Sequence, residues 1–181
     1  MKRLILVRHG ETAWVKEGRR QGIKDIPLSE KGINQARKAA AELRRYKIDI
    51  AYTSKLSRAI QTAEEIVKGR NIRLLKTKKL NERSYGIWTG LTFSDIKKKD
   101  KIYFVKYEND KYNVKPPRGE SLADIKKRVQ SFIKSVNQEN VLIVSHNGTL
   151  RVLWGIIKNL NEKEAADLNF KPAEIKWIKL E

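Results

Sequence analysis

The apolar positions of the chain predict its strands. Residues 4–7 (LILV) and 141–144 (VLIV) are unbroken apolar runs, which are typical of strands buried on both faces of a parallel sheet. Weaker apolar segments predict further strands at residues 49–53, at residues 72–75 and around Ile175 and Trp177. Together these segments predict one mostly parallel sheet.

Between these strands, apolar residues recur at helical spacing. A first helix is predicted to begin after Ser29 as its N-cap, and a second helix is predicted with its cap near Ser54. Ser121 and Asp124 have the spacing of a capping box before a third helix, and a fourth helix follows His146. Strands that alternate with helices favour an α/β fold, here a three-layer α/β/α sandwich in which helices cover both faces of the sheet.

Residues 76–117 interrupt this alternation. The segment has weak periodicity, seven aromatic residues and many lysines, so we expect an irregular, partly helical insertion. At 181 residues and 40% hydrophobic content, the chain is long enough for one well-buried core and short for two. We therefore predict a single domain over residues 1–181 that carries this insertion.

Composition narrows the setting of the protein. The chain has no cysteine, which excludes disulfides, cysteine zinc sites and thiol nucleophiles and fits a reducing compartment. No apolar run approaches the roughly 20 residues of a membrane span, and the apolar start leads directly into charged residues without the pattern of a signal peptide. We expect a cytoplasmic protein without a membrane partner.

The formal net charge of +19 suggests an anionic partner, because such a field attracts nucleic acids and phosphorylated metabolites alike. The lysines, however, are dispersed along the predicted helices among glutamates, a composition that heat-adapted proteins also show. The densest cluster, at residues 97–101 (KKKDK), contains no interleaved aromatic residue and lies in no groove-reading motif. We therefore expect a solvated, thermophile-like surface and no nucleic-acid partner.

Both histidines of the chain follow an apolar strand. Ligands of parallel α/β sheets bind beyond the carboxyl ends of the strands, so His9 and His146 are expected to meet at one edge of the sheet. Arg8 and Gly10 flank His9, and Arg58 lies one turn into the helix after the second strand. Guanidinium groups, an imidazole and an approachable backbone suit a tetrahedral dianion. Each of these residues taken alone could equally be structural.

Six sequence blocks occur in order along nearly the whole chain. They are RHGET (8–12), GRRQG with DIPLSEKG (18–32), TSKLSRAIQTA (53–63), LNERSYGIWTG (80–90), PPRGES (116–121) and SHNGTLR (145–151). Together they resemble the histidine phosphatase superfamily, with its phosphoglycerate-mutase-like fold, and in particular its phosphatase branch. Six ordered blocks are far more specific than RHG alone.

The resemblance implies catalysis through a phosphohistidine. His9 would be the nucleophile and Glu82 the proton donor to the leaving group. The residues implied to hold the transferring phosphoryl group are Arg8, Arg58 and His146. Further substrate contacts are implied for Thr12, Gln21, Gly22 and Asn147, and the aromatic insertion at residues 76–117 would cover the active site.

Elementary electrostatics agrees with these implied roles. Histidine attacks phosphorus only when it is neutral, and neighbouring arginines disfavour its protonation. Two arginines and the imidazolium of His146 could compensate the charge of a phosphoryl group. Because no cluster of carboxylates accompanies the histidine motifs, the donor set for a metal is poor. We expect no metal and no cofactor.

The residues alone also suggest other roles for Glu82 and for the start of the helix at Asn147. From the residues alone, Glu82 could form a surface salt bridge with Arg83. Asn147 and Gly148 would begin a helix, and their backbone N–H groups could bind an anion there.

The predicted function is metal-independent hydrolysis of small phosphorylated metabolites. The alternative is a 2,3-bisphosphoglycerate-dependent phosphoglycerate mutase. Mutases usually carry asparagine where this chain has Val15 and an arginine pair in the insertion, whereas no arginine lies between Tyr85 and Lys115. A nucleic-acid-binding module without activity and a phosphohistidine-protein phosphatase are further alternatives. The expected partner is a small phosphorylated substrate. The sequence leaves open whether the protein forms a homodimer.

Overall fold

A five-stranded sheet forms the centre of the computed structural model, which describes residues 2–180. Its strands are β1 (Lys2–Arg8), β2 (Ile50–Thr53), β3 (Arg73–Lys76), β4 (Asn140–Ser145) and β5 (Ile175–Leu180). In the order β3-β2-β4-β1-β5, the first four strands run parallel and β5 pairs antiparallel with β1. The predicted strands and the mostly parallel sheet are confirmed.

Helices lie on both faces of this sheet. Those described are α1 (Ala13–Lys16), α2 (Glu30–Leu43), α3 (Ser57–Val67), α4 (Phe93–Lys99), α5 (Lys101–Asn109), α6 (Leu122–Lys134), α7 (Asn147–Ile157) and α8 (Glu162–Asp167). Within residues 2–180, none of them is both long and apolar enough to cross a membrane.

The two-sided burial of β1 explains its unbroken apolar sequence. Leu4 and Leu6 face the layer that contains α6 and α7, whereas Ile5 and Val7 face the layer that contains α2 and α3. All four side chains are fully buried. Because successive side chains of a strand point to opposite faces, a strand covered on both faces has no position for a polar residue. The predicted three-layer sandwich is confirmed.

Three of the four predicted helix starts are confirmed, and the fourth is shifted by two residues. α7 begins directly after His146. Ser29 caps α2, and Ser121 forms with Asp124 the capping box of α6. The cap of α3 is Leu56 and not Ser54. Ser54 lies two residues earlier, where its hydroxyl accepts a hydrogen bond from the backbone N–H of Leu56 at 3.2 Å. The Ser54 side chain therefore bonds to the segment before α3 and does not cap the helix.

The segment over residues 76–117 is irregular and partly helical, as predicted. It contains two 3₁₀ turns (Lys78–Leu80 and Gly86–Trp88) besides α4 and α5. Trp88, Ile96 and Tyr107 are buried together in a hydrophobic cluster of their own. Trp88 is thus a core residue of the insertion.

Gly10 and Gly32 allow the loop after β1 to lie directly against α2. A Cβ atom at Gly10 would lie 2.4 Å from the carbonyl oxygen of Gly32, and one at Gly32 would lie 2.0 Å from that of Glu11. Backbone meets backbone at this contact, so no flexible side chain can move aside. The contact fixes the position of the loop that carries His9.

We predict that Gly32→Ala destabilises the protein, although alanine is the better helix former by about 1 kcal/mol. The added methyl group must push α2 away from the loop, and overpacking of this kind costs about 1–3 kcal/mol or more. Urea unfolding would measure the loss. Gly69→Ala is the control, because Gly69 has positive φ and no atom lies within 4 Å of the added Cβ. Backbone strain alone should lower its stability by about 1 kcal/mol. A Gly32→Ala variant more stable than the wild type would contradict this packing.

Candidate active site

Neighbouring parallel strands bring the two histidines together. β1 pairs with β4 so that Arg8 lies opposite Ser145, and the backbone N–H of His9 donates to the carbonyl oxygen of Ser145 at 2.9 Å. The ring centroids of His9 and His146 are 5.1 Å apart. Residues far apart in sequence thus meet because both strands end at the same edge of the sheet.

His9 carries its proton on Nδ1. This nitrogen lies 2.7 Å from the carbonyl oxygen of Gly10, and because a carbonyl only accepts, Nδ1 must donate. Nε2 then keeps its lone pair. Burial lowers the pKa of His9 well below its ordinary value, and the charges of Arg58 and Arg8 lower it further. His9 is therefore a neutral imidazole whose Nε2 bonds to no residue that the structure describes.

His146 is also neutral, which corrects the expectation of an imidazolium. Its Nδ1 accepts a hydrogen bond from Nε of Arg58 at 3.2 Å, so its proton is on Nε2, 2.8 Å from the Ser54 hydroxyl. Burial lowers the pKa of His146 well below its ordinary value, and Arg58, His9 and Arg8 add to the effect. The ring is 0% exposed. A phosphoryl group could reach His146 only if one of these two bonds were given up.

Arg58 joins the loop of residues 18–27 to the site. Besides His146, it donates from Nη1 to the Lys24 carbonyl at 2.8 Å and from Nη2 to the Gly22 carbonyl at 2.6 Å. Asp25 fixes the same loop on the start of α3, since its carboxylate accepts from the backbone N–H and the hydroxyl of Ser57, both at 2.7 Å. Burial lowers the pKa of Arg58 to about 10, so it stays charged at neutral pH.

Thr62 connects Arg58 to the loop that carries His9. Its hydroxyl donates to the Arg58 carbonyl at 2.7 Å and accepts from the backbone N–H of Gly10 at 3.0 Å. This buried hydroxyl therefore holds the start of α3 at a fixed distance from the nucleophile candidate.

Arg8 is a second, half-buried cation at the site. Its Nη1 donates to the carbonyl of Phe170 at 2.6 Å, while its Nε is buried without a hydrogen-bond partner in the described part of the chain. Burial lowers the pKa of Arg8 to about 10, and nearby Glu82 opposes that shift. Arg8 is thus charged at neutral pH and can bind an anion.

Backbone donors hold Glu82 in place. It is only 8% exposed, and its Oε1 and Oε2 accept from the N–H groups of Arg83 and Gly148, each at 3.0 Å. The Arg83 side chain instead donates to the hydroxyls of Tyr85 and Tyr107, so the surface salt bridge considered above is wrong. The Gly148 N–H is likewise not free for a ligand anion, because Glu82 occupies it.

A cavity of about 260 Å³ lies at this edge of the sheet. Its lining includes most of the residues that the sequence indicated. They are Arg8, His9, Gln21, Gly22, Arg58, Glu82 and Asn147. Two predicted residues do not line it: His146 lies behind Arg58, and Thr12 is fully buried, where its hydroxyl caps α1 and donates to Oε1 of Gln21 at 3.0 Å. The structure therefore gives Thr12 a positioning contact in place of the implied substrate contact.

Seven further residues line the cavity that were not among the predicted site residues: Val15, Gly18, Arg19, Arg20, Tyr85, Arg151 and Asn169. Arg151 could have been found, because it follows Asn147 by one helical turn and so shares its face of α7. Tyr85 follows Glu82 closely in one quoted block. Nothing in the sequence marked Asn169.

Potential metal ligands do not cluster at the site. Over residues 2–180, the structure contains no group of three or more His, Cys, Asp or Glu side chains that could hold a metal ion. Glu82 is the single carboxylate that lines the cavity, as far as the described residues go.

Comparison with known proteins gives one consistent family. The model of the histidine phosphatase superfamily (branch 1) matches residues 4–181. Phosphoserine phosphatase 1 of Hydrogenobacter thermophilus is 35% identical over 158 residues, which cover 85% of this chain and 75% of that protein. A phosphoglycerate mutase of Schizosaccharomyces pombe is 42% identical over 161 residues, which cover 83% and 76%. The solved structure of Bacillus stearothermophilus YhfR has a TM-score of 0.90 at 32% identity, covering 100% and 92%.

We predict that stability falls as the pH drops from 7.5 to 5.5 and that the two histidines cause this fall. The unfolded chain binds protons on His9 and His146 below about pH 6.5, whereas the folded chain keeps both rings neutral. Each ring therefore costs up to about 1.4 kcal/mol of stability per pH unit below 6.5.

Urea unfolding in phosphate-free buffer measures this dependence. The chain has only two histidines, so His146→Gln should remove about half of the pH dependence and the double variant with His9→Gln nearly all of it. An equal fall in the wild type and the double variant would show that other groups are responsible.

Proposed function

The chain belongs to the histidine phosphatase superfamily, and we propose that it hydrolyses phosphomonoesters of small metabolites through a phosphohistidine at His9. The observation that carries this proposal is a neutral imidazole whose Nε2 bonds to no described residue, beside a buried Arg58 and a half-buried Arg8 that are both charged. This arrangement combines an available nucleophile with a site for a dianion. Phosphatases among the relatives support hydrolysis as the reaction.

In the first proposed step, Nε2 of His9 attacks phosphorus and the ester P–O bond breaks. Phosphoryl transfer requires mainly positioning and compensation of charge on the equatorial oxygens. Arg8 and Arg58 supply that charge, while His146 orients Arg58 through its Nδ1. The hydrogen bond from Nδ1 of His9 to Gly10 holds the ring and disperses the positive charge that develops on it.

Glu82 is the proposed proton carrier. Each of its oxygens accepts one backbone N–H and keeps a lone pair that can carry a proton. Glu82 gives this proton to the leaving oxygen of the ester. In the second step water attacks the phosphohistidine, Glu82 takes the water proton, and the N–P bond breaks to release phosphate and the neutral His9.

The dimensions and charge of the cavity support a small substrate. Its volume of about 260 Å³ lies below the roughly 300–1,000 Å³ of pockets for drug-sized ligands. The partner we propose is thus a small phosphorylated metabolite. Arginines at phosphate-binding positions replace the charge compensation that a metal would otherwise supply, so we propose no metal or other cofactor.

A mutase reaction is the second candidate, because the relatives include a phosphoglycerate mutase at 42% identity. A mutase keeps its histidine phosphorylated until a phosphoglycerate accepts the phosphoryl group, and it must then hold the resulting bisphosphate until the histidine takes back the other phosphoryl group. Val15 lines the cavity and offers no polar contact to an intermediate. The insertion offers lysines but no arginine between Tyr85 and Lys115, and a lysine cannot form a bidentate fork. We therefore favour hydrolysis.

We predict that His9→Asn lowers the hydrolysis of p-nitrophenyl phosphate by about 10³-fold or more, since it removes the nucleophile. Glu82→Gln should lower the hydrolysis of an alkyl phosphate by about 10²–10⁴-fold. Its effect on p-nitrophenyl phosphate should be much smaller, because nitrophenolate leaves without a proton.

Steady-state kinetics with and without EDTA tests these expectations. Glu139→Gln is the matched control for Glu82→Gln, since Glu139 is exposed, and it should behave as the wild type. Activity that survives His9→Asn, or disappears with EDTA, would rule out the proposed route.

Hydrolysis and isomerisation can be separated directly with 3-phosphoglycerate. We predict that released phosphate exceeds 2-phosphoglycerate formed, both without and with added 2,3-bisphosphoglycerate, because Val15 offers no polar contact to a bisphosphate and no arginine lies between Tyr85 and Lys115. A phosphate assay and a coupled enolase assay measure the two products. Dominant isomerisation that depends on the bisphosphate would establish the mutase instead.

A further inference from the structure

A second cavity of about 170 Å³ adjoins the first. The two share four lining residues, namely Arg20, Tyr85, Asn147 and Arg151. A ligand whose phosphoryl group lies at His9 would therefore extend towards the second cavity across these four side chains.

The second cavity carries an excess of positive charge. Its lining contains Arg20, Arg83, Arg151 and Lys111, against Asp167 as the one carboxylate among the described lining residues. No ion pair within 4.0 Å joins any of the three arginines to a carboxylate of residues 2–180. Arg83 is buried, and Arg20 and Arg151 are half-buried; charge removed from water is costly unless it is paired, so this cavity favours an anion.

Arg151 is the least satisfied of these cations. It makes no hydrogen bond to any described residue, its Nε is buried without a partner, and it faces both cavities. Burial lowers its pKa, and nearby Glu82 partly offsets this effect. A side chain that serves the fold usually donates to nearby carbonyls, as Arg70 and Arg128 do here. Arg151 has both ends of its guanidinium fork available for a ligand.

The other two arginines are positioned to support it. The guanidinium of Arg20 lies 4.2 Å from the ring centroid of Phe93, which fixes its plane by stacking. Arg83 is 2% exposed, and its Nε and Nη1 have no partner among the described residues, while Nη2 donates to the hydroxyls of Tyr85 and Tyr107. Arg83 thus adds positive potential from the wall of the cavity.

We propose that Arg151, with Arg20, forms a second anion-binding subsite, so that the preferred substrates are phosphomonoesters with a carboxylate or second phosphate close to the ester. This inference rests on the hydrolysis proposed above and narrows its substrate class. No arginine lies between Tyr85 and Lys115, and α7 and the loop of residues 18–27 supply Arg151 and Arg20 in its place. A planar fork suits both kinds of oxyanion.

Matched substrates test the subsite. 3-Phosphoglycerate has a carboxylate where glycerol 3-phosphate has a hydroxymethyl group. 1,3-Propanediol bisphosphate has a second phosphate where 3-hydroxypropyl phosphate has a hydroxyl group. The wild type should prefer the member with the second anionic group in at least one pair, measured as kcat/KM for phosphate release. The pair that shows the preference identifies the kind of anion.

The substitution Arg151→Met should lower that preference by about ten- to a hundredfold, which is the range for one charge-assisted contact. Arg151→Lys should lower it less, because it keeps the charge but loses the fork. Arg44→Met removes the same charge from an exposed position and should leave the preference unchanged. Thermal unfolding of each variant verifies that it is folded.

Two results would overturn the subsite: a wild type without preference in either pair, or an Arg151→Met variant that keeps the wild-type preference. If the wild type hydrolyses no ester, the proposed function fails, and calorimetric binding still tests the subsite by itself. Phosphonoacetate should then bind more tightly than methylphosphonate to the wild type but not to Arg151→Met. Equal binding of the two would overturn the subsite independently of activity.

Discussion

The burial of arginine charge beside two neutral imidazoles is the constraint on which the site depends. Burial lowers the pKa of both Arg8 and Arg58 only to about 10, so both keep their charge at neutral pH. The same burial and the same charges lower the pKa of His9 and His146 well below the ordinary value. One arrangement thus keeps a nucleophile unprotonated and leaves positive charge that a phosphoryl dianion can compensate.

Arg58 transmits this constraint to the surrounding loops. Three of its nitrogens are engaged by His146, Lys24 and Gly22, and its carbonyl accepts from Thr62. The loop of residues 18–27, the end of β4 and the start of α3 therefore share one buried side chain. A disturbance of that side chain would displace the cavity wall as well as the cation.

The sequence was sufficient for the fold and for the meeting of the two histidines, because unbroken apolar runs define buried parallel strands and such strands end at a common edge. It was insufficient for the partners of the individual side chains. Gly148 donates to Glu82 and not to a ligand, and Thr12 lies behind Gln21. These pairings depend on distances between elements that are remote in sequence, which no local pattern encodes. Arg151 is a different case, because its spacing of one helical turn from Asn147 already places both residues on one face of α7.

Glu82 lies among several cations, but backbone N–H groups hold its carboxylate. Its charge acts on Arg8, Arg58 and Arg151, yet its oxygens are bonded to neutral backbone N–H groups. A direct arginine fork would occupy both oxygens and hold the group as a carboxylate. Backbone donors fix its position and leave lone pairs free, which a residue that must release and recover a proton requires. The cations near Glu82 consequently remain unpaired, and their charge stays available for the oxygens of a substrate.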